Sequence, residues 1–354
     1  MKTSTVLHLP PKPGNPRNSE GTFAELTDGR ILFIYSHYNG DSWGDDATAD
    51  LVARISPDQG KTWGEDKLVL AHDDAALNLM SPSLLRLQDG RLSLTYLRKS
   101  PSAERGVDCI PWMCFSDDDG KSWSEPKLVT PFKAYHVKNN DRVIQLPSGR
   151  IIVPIAWHRT IDSTRHDPRS IALFFLSDDG GKTFREGSDW VLPPQHCGTG
   201  LQEPGVVCLG GNKLMAYFRT DLGRQYKAFS EDGGDHWTEA GPSEFISPCS
   251  PLSIKRRPAT GELFAVWNDR SDRWPDLPAP KDSSWGRTPL VLARSDDNGK
   301  TWKDHQLLES DPARGYCYIA MHFTKDNALL LEYCCGGADN VVLSESKIIR
   351  IELD

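Results

Sequence analysis

No stretch of the 354 residues approaches the roughly 20 consecutive apolar residues that a membrane-spanning helix requires, and only 38% of the chain is hydrophobic. A helical membrane protein is excluded, and no membrane partner is expected. Positive charge is in deficit: 41 Lys and Arg face 49 Asp and Glu, a net charge of −8, with no long run of either sign. The electrostatic footprint of a nucleic-acid binder is missing. The eight cysteines, at 109, 114, 197, 208, 249, 317, 334 and 335, include no Cys-x-x-Cys pair and no His partner at metal-ligand spacing. A metal site has no basis in the sequence, no cofactor is expected, and the thiols read as reduced and mostly buried. Met1 to Gly14 holds three prolines and lacks the apolar core of a secretory signal, so the chain as it stands is expected in the cytoplasm. Sustained 3.6-residue periodicity, the mark of helices, is lacking as well.

What the chain does have is Trp, 11 in all, with 29 Gly and 25 Pro dispersed as turn punctuation. One eight-residue pattern, S-x-D-x-G-x-x-W/F, occurs five times: Ser56–Trp63, Ser116–Trp123, Ser177–Phe184, Ser230–Trp237 and Ser295–Trp302. Its Asp can accept bonds from turn amides, its Gly can adopt a conformation that other residues resist, and its aromatic can pack under a hairpin. A second turn follows an apolar run around Gly29, Gly90, Gly149, Gly211, Gly261 and Asn327. Both patterns repeat at about 60 residues, and the flanking segments, such as Ile31–Tyr35, Leu92–Tyr96 and Leu263–Trp267, are short, β-branched or aromatic. Two hairpins per repeat predict an all-β chain, a six-bladed β-propeller of four-stranded antiparallel blades, with 1–354 as a single domain.

In a propeller the residues that precede each innermost strand converge on the axis, where ligands bind. Counting back from the second turns gives Arg17 and Glu20, Asn78 and Ser81, Asn140 and Asp141, Glu203, Ser250, and Tyr316 and Tyr318. Counting forward gives His37, Arg98, Trp157 with His158, Arg219, Asp269 and Cys335. Arginines at the mouth of an acidic chain point to a small anionic ligand.

The repeated turn resembles the Asp box, and with six blades the chain resembles the sialidases, which remove terminal sialic acid from glycans. The resemblance implies an exo-acting retaining glycoside hydrolase. It implies that Arg17, Arg219 and Arg287 clamp a sugar carboxylate, a task suited to planar guanidinium forks. It implies that Tyr316, in Tyr316-Cys-Tyr-Ile-Ala, is the nucleophile, with Tyr318 close by, activated by Glu203. A neutral phenol is not repelled by the carboxylate on the anomeric carbon, whereas a carboxylate nucleophile would be. Asp46, and next to it Asp45, takes the place of the acid/base, and Glu332 that of the glutamate steadying the first arginine. The sequence departs from the family at Arg17-Asn-Ser-Glu20, where an additional carboxylate stands beside the clamp and could neutralise Arg17. Glu20, His37, Asn140 and Tyr318 join the expected substrate-binding set, and the expected partner is an acidic sugar or glycan.

Two other functions fit the same fold. A lyase or hydrolase acting on uronates would use His37, His136 or His158 as base and a tyrosine as acid. A non-catalytic glycan-binding propeller would lack the Tyr–Glu pair or the acid, and this chain has residues for each.

Overall fold

A computed structural model describes residues 2–353. Strands dominate, and the one helical element among the described residues is the short 3₁₀ turn Asp282–Ser284. Three sheets are four-stranded and antiparallel. One holds Gln202–Gly210, Lys213–Arg219, Arg224–Ser230 and Gly241–Ile246; the next holds Ser253–Arg256, Leu263–Asn268, Leu290–Ser295 and Lys303–Glu309. In the third, Cys317–Phe323, Ala328–Cys334 and Ser346–Glu352 are completed by the N-terminal strand Thr3–Leu9. The remaining strands form one sheet of thirteen, ten along one path and three off it, in which Ala49 pairs with Asn78 and Cys109 with Tyr135 through single parallel registers between otherwise antiparallel meanders.

Apolar side chains alternate along these strands and pack between successive meanders. Phe174 and Leu176 meet Val206, Leu214 and Phe218, whereas Met215 and Tyr217 meet Leu263, Ala265 and Val291. The last meander meets the first through Ala320, Leu330 and Ile348 against Phe23, Phe33 and Tyr35. Since each sheet is apolar on both faces, it requires a neighbour on either side, and this last cluster supplies the pair that a linear stack would leave bare.

The repeated turn has the mechanical role expected of it. The Ser56 hydroxyl accepts the Gly60 amide at 2.8 Å, while Asp58 accepts the Thr62 amide at 2.8 Å and its hydroxyl at 2.7 Å. Hydrogen bonds from Ser122 pull the equivalent Asp118 down to about 2. Gly60 has φ +84°, and a Cβ there would lie 2.6 Å from Leu330, so both backbone and space require glycine. Trp63 packs beneath, its ring 5.8 Å from Phe33 and 6.0 Å from Phe23. These turns lie away from the cavity described next.

Candidate active site

A cavity of about 370 Å³ receives side chains from every sheet, among them Glu20, Ser81, Glu203, Arg219, Arg287 and Tyr318. One backbone device delivers several of them. Glu20 (φ 60°), Ser81 (52°), Glu203 (48°) and Tyr318 (60°) are non-glycine residues in the left-handed region. Each sits in a break of strand register, between Ser19 and Thr22, Met80 and Ser83, Gln202 and Gly205, and Cys317 and Ala320. A bulge re-aims one side chain, here into the cavity, and each such conformation carries strain of order 1–3 kcal/mol. Asp141 (φ 54°) shares the backbone state, but its carboxylate takes Lys255 at 2.8 Å on the far side.

Tyr318, Glu203 and Arg219 form a connected set. The Tyr318 hydroxyl donates to Glu203 Oε1 at 3.1 Å, and Arg219 Nη1 donates to the same oxygen at 2.7 Å. Glu203 Oε2 is buried without a hydrogen-bond partner among the described residues. Burial and the Glu203 charge push the Tyr318 phenol well above its usual value, against the pull of Arg287 and Arg219. Arg287 lies 5.6 Å from the Tyr318 ring centre, with Nη1 against Cys317 Sγ at 3.1 Å, and Arg219 Nε likewise points at Cys249 Sγ at 3.2 Å.

Tyr316 is placed elsewhere. It is 2% exposed and packed with Phe264, Leu290, Leu331 and Tyr333, so it does not line the cavity. Strand alternation gives the reason, since residues two apart share a face only if no bulge intervenes, and one does.

Arg17 also departs from expectation. It is fully buried, outside the cavity lining, and donates to Ser19 Oγ (2.8 Å), Trp43 O (3.2 Å), Asp45 Oδ1 (2.6 Å) and Glu20 Oε1 (3.1 Å). Four of the five donors of a guanidinium are thereby engaged. Glu20 Oε2 accepts the Ser81 hydroxyl at 2.8 Å; burial raises the Glu20 carboxyl, opposed by Arg17.

Asp45 lines the cavity and Asp46 does not. Asp46 pairs with the buried Lys99 at 2.9 Å. Partial burial would raise the Asp45 carboxyl, but Arg17 and Lys99 hold it below the usual carboxylate range. Asn140 stands behind the wall, donating to Gly21 O at 2.7 Å and Tyr318 O at 3.0 Å, which makes it a positioning residue. His37 is bonded to Asn39 at 3.0 Å and lies outside the cavity lining, as do Arg98, Asp269 and Cys335. His136 is buried away from it too, whereas His158 lines it, with Nδ1 on Asp167 O at 2.8 Å.

Glu332 makes no ion pair with Arg17; it accepts the Gly21 amide at 2.9 Å, beneath Glu20. Burial lifts its carboxyl from 4.5 to about 8. The folded protein therefore keeps a proton that the unfolded chain loses above about pH 4.5, so this group's contribution to stability declines from there up to about pH 8. Glu332→Gln should flatten the dependence of unfolding free energy on pH over that window, an effect of a few kcal/mol at roughly 1.4 kcal/mol per unit. Urea unfolding at pH 5 and 8 measures it, and an unchanged slope would contradict the assignment.

The sequence reading did not single out Lys99 or the mouth residues Trp43 and Trp285, both close to half exposed. Trp285 follows the 3₁₀ turn and lies 5.3 Å from the Arg287 guanidinium.

The fold and its repeated turns define a class, and comparison with known proteins agrees with it. The chain belongs to the BNR repeat-like domain family, which it matches over residues 44–330, within the sialidase superfamily and its propeller-like all-β fold. It is 25% identical over 328 residues to a sialidase of Bacteroides fragilis (strain YCH46), covering 83% of this chain and 56% of that protein. A sialidase of Paraclostridium sordellii is 28% identical over 236 residues, 60% of this chain and 55% of that one. The chain thus spans little more than half the length of these curated relatives. The NanB sialidase of Streptococcus pneumoniae superposes with a TM-score of 0.73 at 13% identity, over 99% of this chain and 70% of that one.

Proposed function

We propose that this chain is a retaining, exo-acting glycoside hydrolase of the sialidase type that releases a terminal acidic sugar, with Tyr318 as nucleophile. The observation that carries the reading is the 3.1 Å hydrogen bond from Tyr318 to Glu203 beside Arg219 and Arg287. In the first step Glu203 takes the phenolic proton as Tyr318 Oη bonds to the anomeric carbon, and an aspartic acid protonates the departing glycosidic oxygen. In the second, the same aspartate takes a proton from water, the water oxygen replaces Tyr318 on the anomeric carbon, and Glu203 returns the phenolic proton. Arg219 and Arg287 hold the sugar carboxylate and offset the charge that Glu203 would bring. On the same reading the thirteen-stranded sheet is three blades, with Tyr135–Val137 and Ile144–Gln145 as two pieces of one interrupted strand beside Ile151–Asp162, which with the other sheets gives six of four strands.

Release of free N-acetylneuraminate from its 4-methylumbelliferyl α-glycoside, with the α-anomer formed first by proton NMR, tests the activity. No release from this or any glycan-linked sialic acid would overturn it. Position selects Asp45 over Asp46 as the acid, since a proton donor must first be within reach, and Asp45 must then take up its proton against the pull of Arg17 and Lys99. Asp45→Asn is expected to reduce turnover of a glycan by roughly 10²-fold or more and that of an aryl glycoside, whose leaving group needs little protonation, by less. Asp46→Asn should stay within tenfold of wild type on both, and the reverse ranking would move the assignment to Asp46.

The engagement of Arg17 by Glu20 and Asp45 favours a second reading, a lyase acting on uronates. His158, its Nδ1 committed to Asp167 O and held neutral by burial, would take the C5 proton through Nε2. An unsaturated, ultraviolet-absorbing product distinguishes elimination from hydrolysis.

A further inference from the structure

The charges around the cavity are unevenly matched. Arg17 is balanced by Glu20 and Asp45, Lys99 by Asp46, and Arg219 by Glu203. Arg287 and Lys138 line the cavity with no carboxylate at ion-pairing distance among the described residues. Lys138 is fully buried, and its Nζ donates to two carbonyls, Ser81 O at 2.6 Å and Asn139 O at 3.2 Å, which leaves the third of an ammonium's three donors unassigned. Beside it Asn139 also lines the cavity. Its Oδ1 accepts the Asn140 amide at 2.8 Å, which fixes the orientation of the side chain, and its Nδ2 is buried with no acceptor. Buried donors without acceptors are uncommon in folded proteins, and this one belongs to a side chain of the cavity lining.

We propose that Lys138 and Asn139, in place of the occupied Arg17, bind the substrate's carboxylate together with Arg287 and Arg219. This rests on the acidic-sugar reading above and changes which residues recognise the acid. The Glu20 carboxylate sits on Arg17 as a built-in counterpart of the substrate's own, so the clamp is displaced towards the floor formed by Ser81 and Lys138. Burial depresses the Lys138 amine to about 7; the charged or titratable groups facing it are Glu20, Arg142, Asp141 and Cys109. Arg142 is also without a carboxylate, but it donates to Tyr217, Ser253 and Leu252 O below the cavity. A carboxylate arriving beside Lys138 favours the ammonium form, so binding above pH 7 takes up a proton.

The test is calorimetric titration of wild type, Lys138→Met and Lys138→Arg with 2-deoxy-2,3-didehydro-N-acetylneuraminate and with its methyl ester, at pH 6 and 8, in two buffers of different ionisation enthalpy. Wild type is expected to favour the acid over the ester by at least tenfold. Lys138→Met should lose most of that preference while its ester affinity holds, and Lys138→Arg should keep it. At pH 8 wild type should take up a substantial fraction of a proton with the acid, and Lys138→Arg, whose guanidinium stays charged, should take up less. A wild-type preference retained in folded Lys138→Met, or proton uptake unchanged in Lys138→Arg, overturns the role of Lys138 and leaves the acidic-sugar reading standing. Should Lys138→Met fail to fold, the Lys138→Arg uptake decides alone. Wild type that binds neither compound, or both equally, overturns the acidic-sugar reading and this proposal with it.

Discussion

Replacement of Tyr318 by Phe is expected to lower kcat by roughly 10³-fold or more while the fold and the affinity for an acidic sugar persist. The ring fills the same space, and the lost hydroxyl makes one hydrogen bond, to a Glu203 oxygen that keeps Arg219 at 2.7 Å. What disappears is the atom that bonds to the anomeric carbon. Tyr316→Phe is the matched control: Tyr316 lies in the core against Tyr333, outside the cavity lining, and its variant should turn over within a few-fold of wild type. Hydrolysis of the methylumbelliferyl glycoside at saturating substrate measures both. Loss in the Tyr316 variant with retention in the Tyr318 variant would reverse the assignment.

The distinction between these tyrosines was available in the sequence, though motif similarity obscured it. Tyr318 stands nine residues before the turn at Asn327, as Glu20 stands nine before Gly29 and Ser81 nine before Gly90. Tyr316 was favoured by its likeness to a family segment, which carries no information about register. The five box turns were legible because their Gly and Asp are required by a backbone state and by amides that need acceptors. The left-handed bulges at Glu20, Ser81, Glu203 and Tyr318 leave no such mark, since the strained residue is retained for its side chain and is not glycine. Glu20 was foreseen as a partner of Arg17 from its nearness in the sequence, although a regular strand would send residues three apart to opposite faces, and it is the bulge at Glu20 that brings the two together. The forward-counted set was read less well. Only His158 and Arg219 of His37, Arg98, Trp157, His158, Arg219, Asp269 and Cys335 line the cavity, because the strands that carry them differ in length and the side-chain period of two sends neighbours to opposite faces. Lys138 and Asn139 follow the three-residue strand Tyr135–Val137, where no periodicity announces which side chain turns inward.

Glu203→Gln is expected to move kcat and KM in the same direction, both downward, which separates it from a variant that merely disturbs the site. The amide oxygen can still accept from Tyr318, so the nucleophile stays oriented, but an amide cannot take the phenolic proton. Loss of a positioned base lowers kcat by about 10²–10⁴-fold. The same change removes the carboxylate that holds Arg219 at 2.7 Å and leaves that guanidinium without its charge partner beside Arg287 and Lys138. An anionic substrate then meets a more positive cavity and binds more tightly, so KM or the dissociation constant of a carboxylate inhibitor should drop several-fold. A variant in which kcat falls and affinity weakens would mean that Glu203 chiefly maintains the shape of the site. Unchanged kcat would remove Glu203 from the proton path and with it the reason for placing the nucleophile at Tyr318.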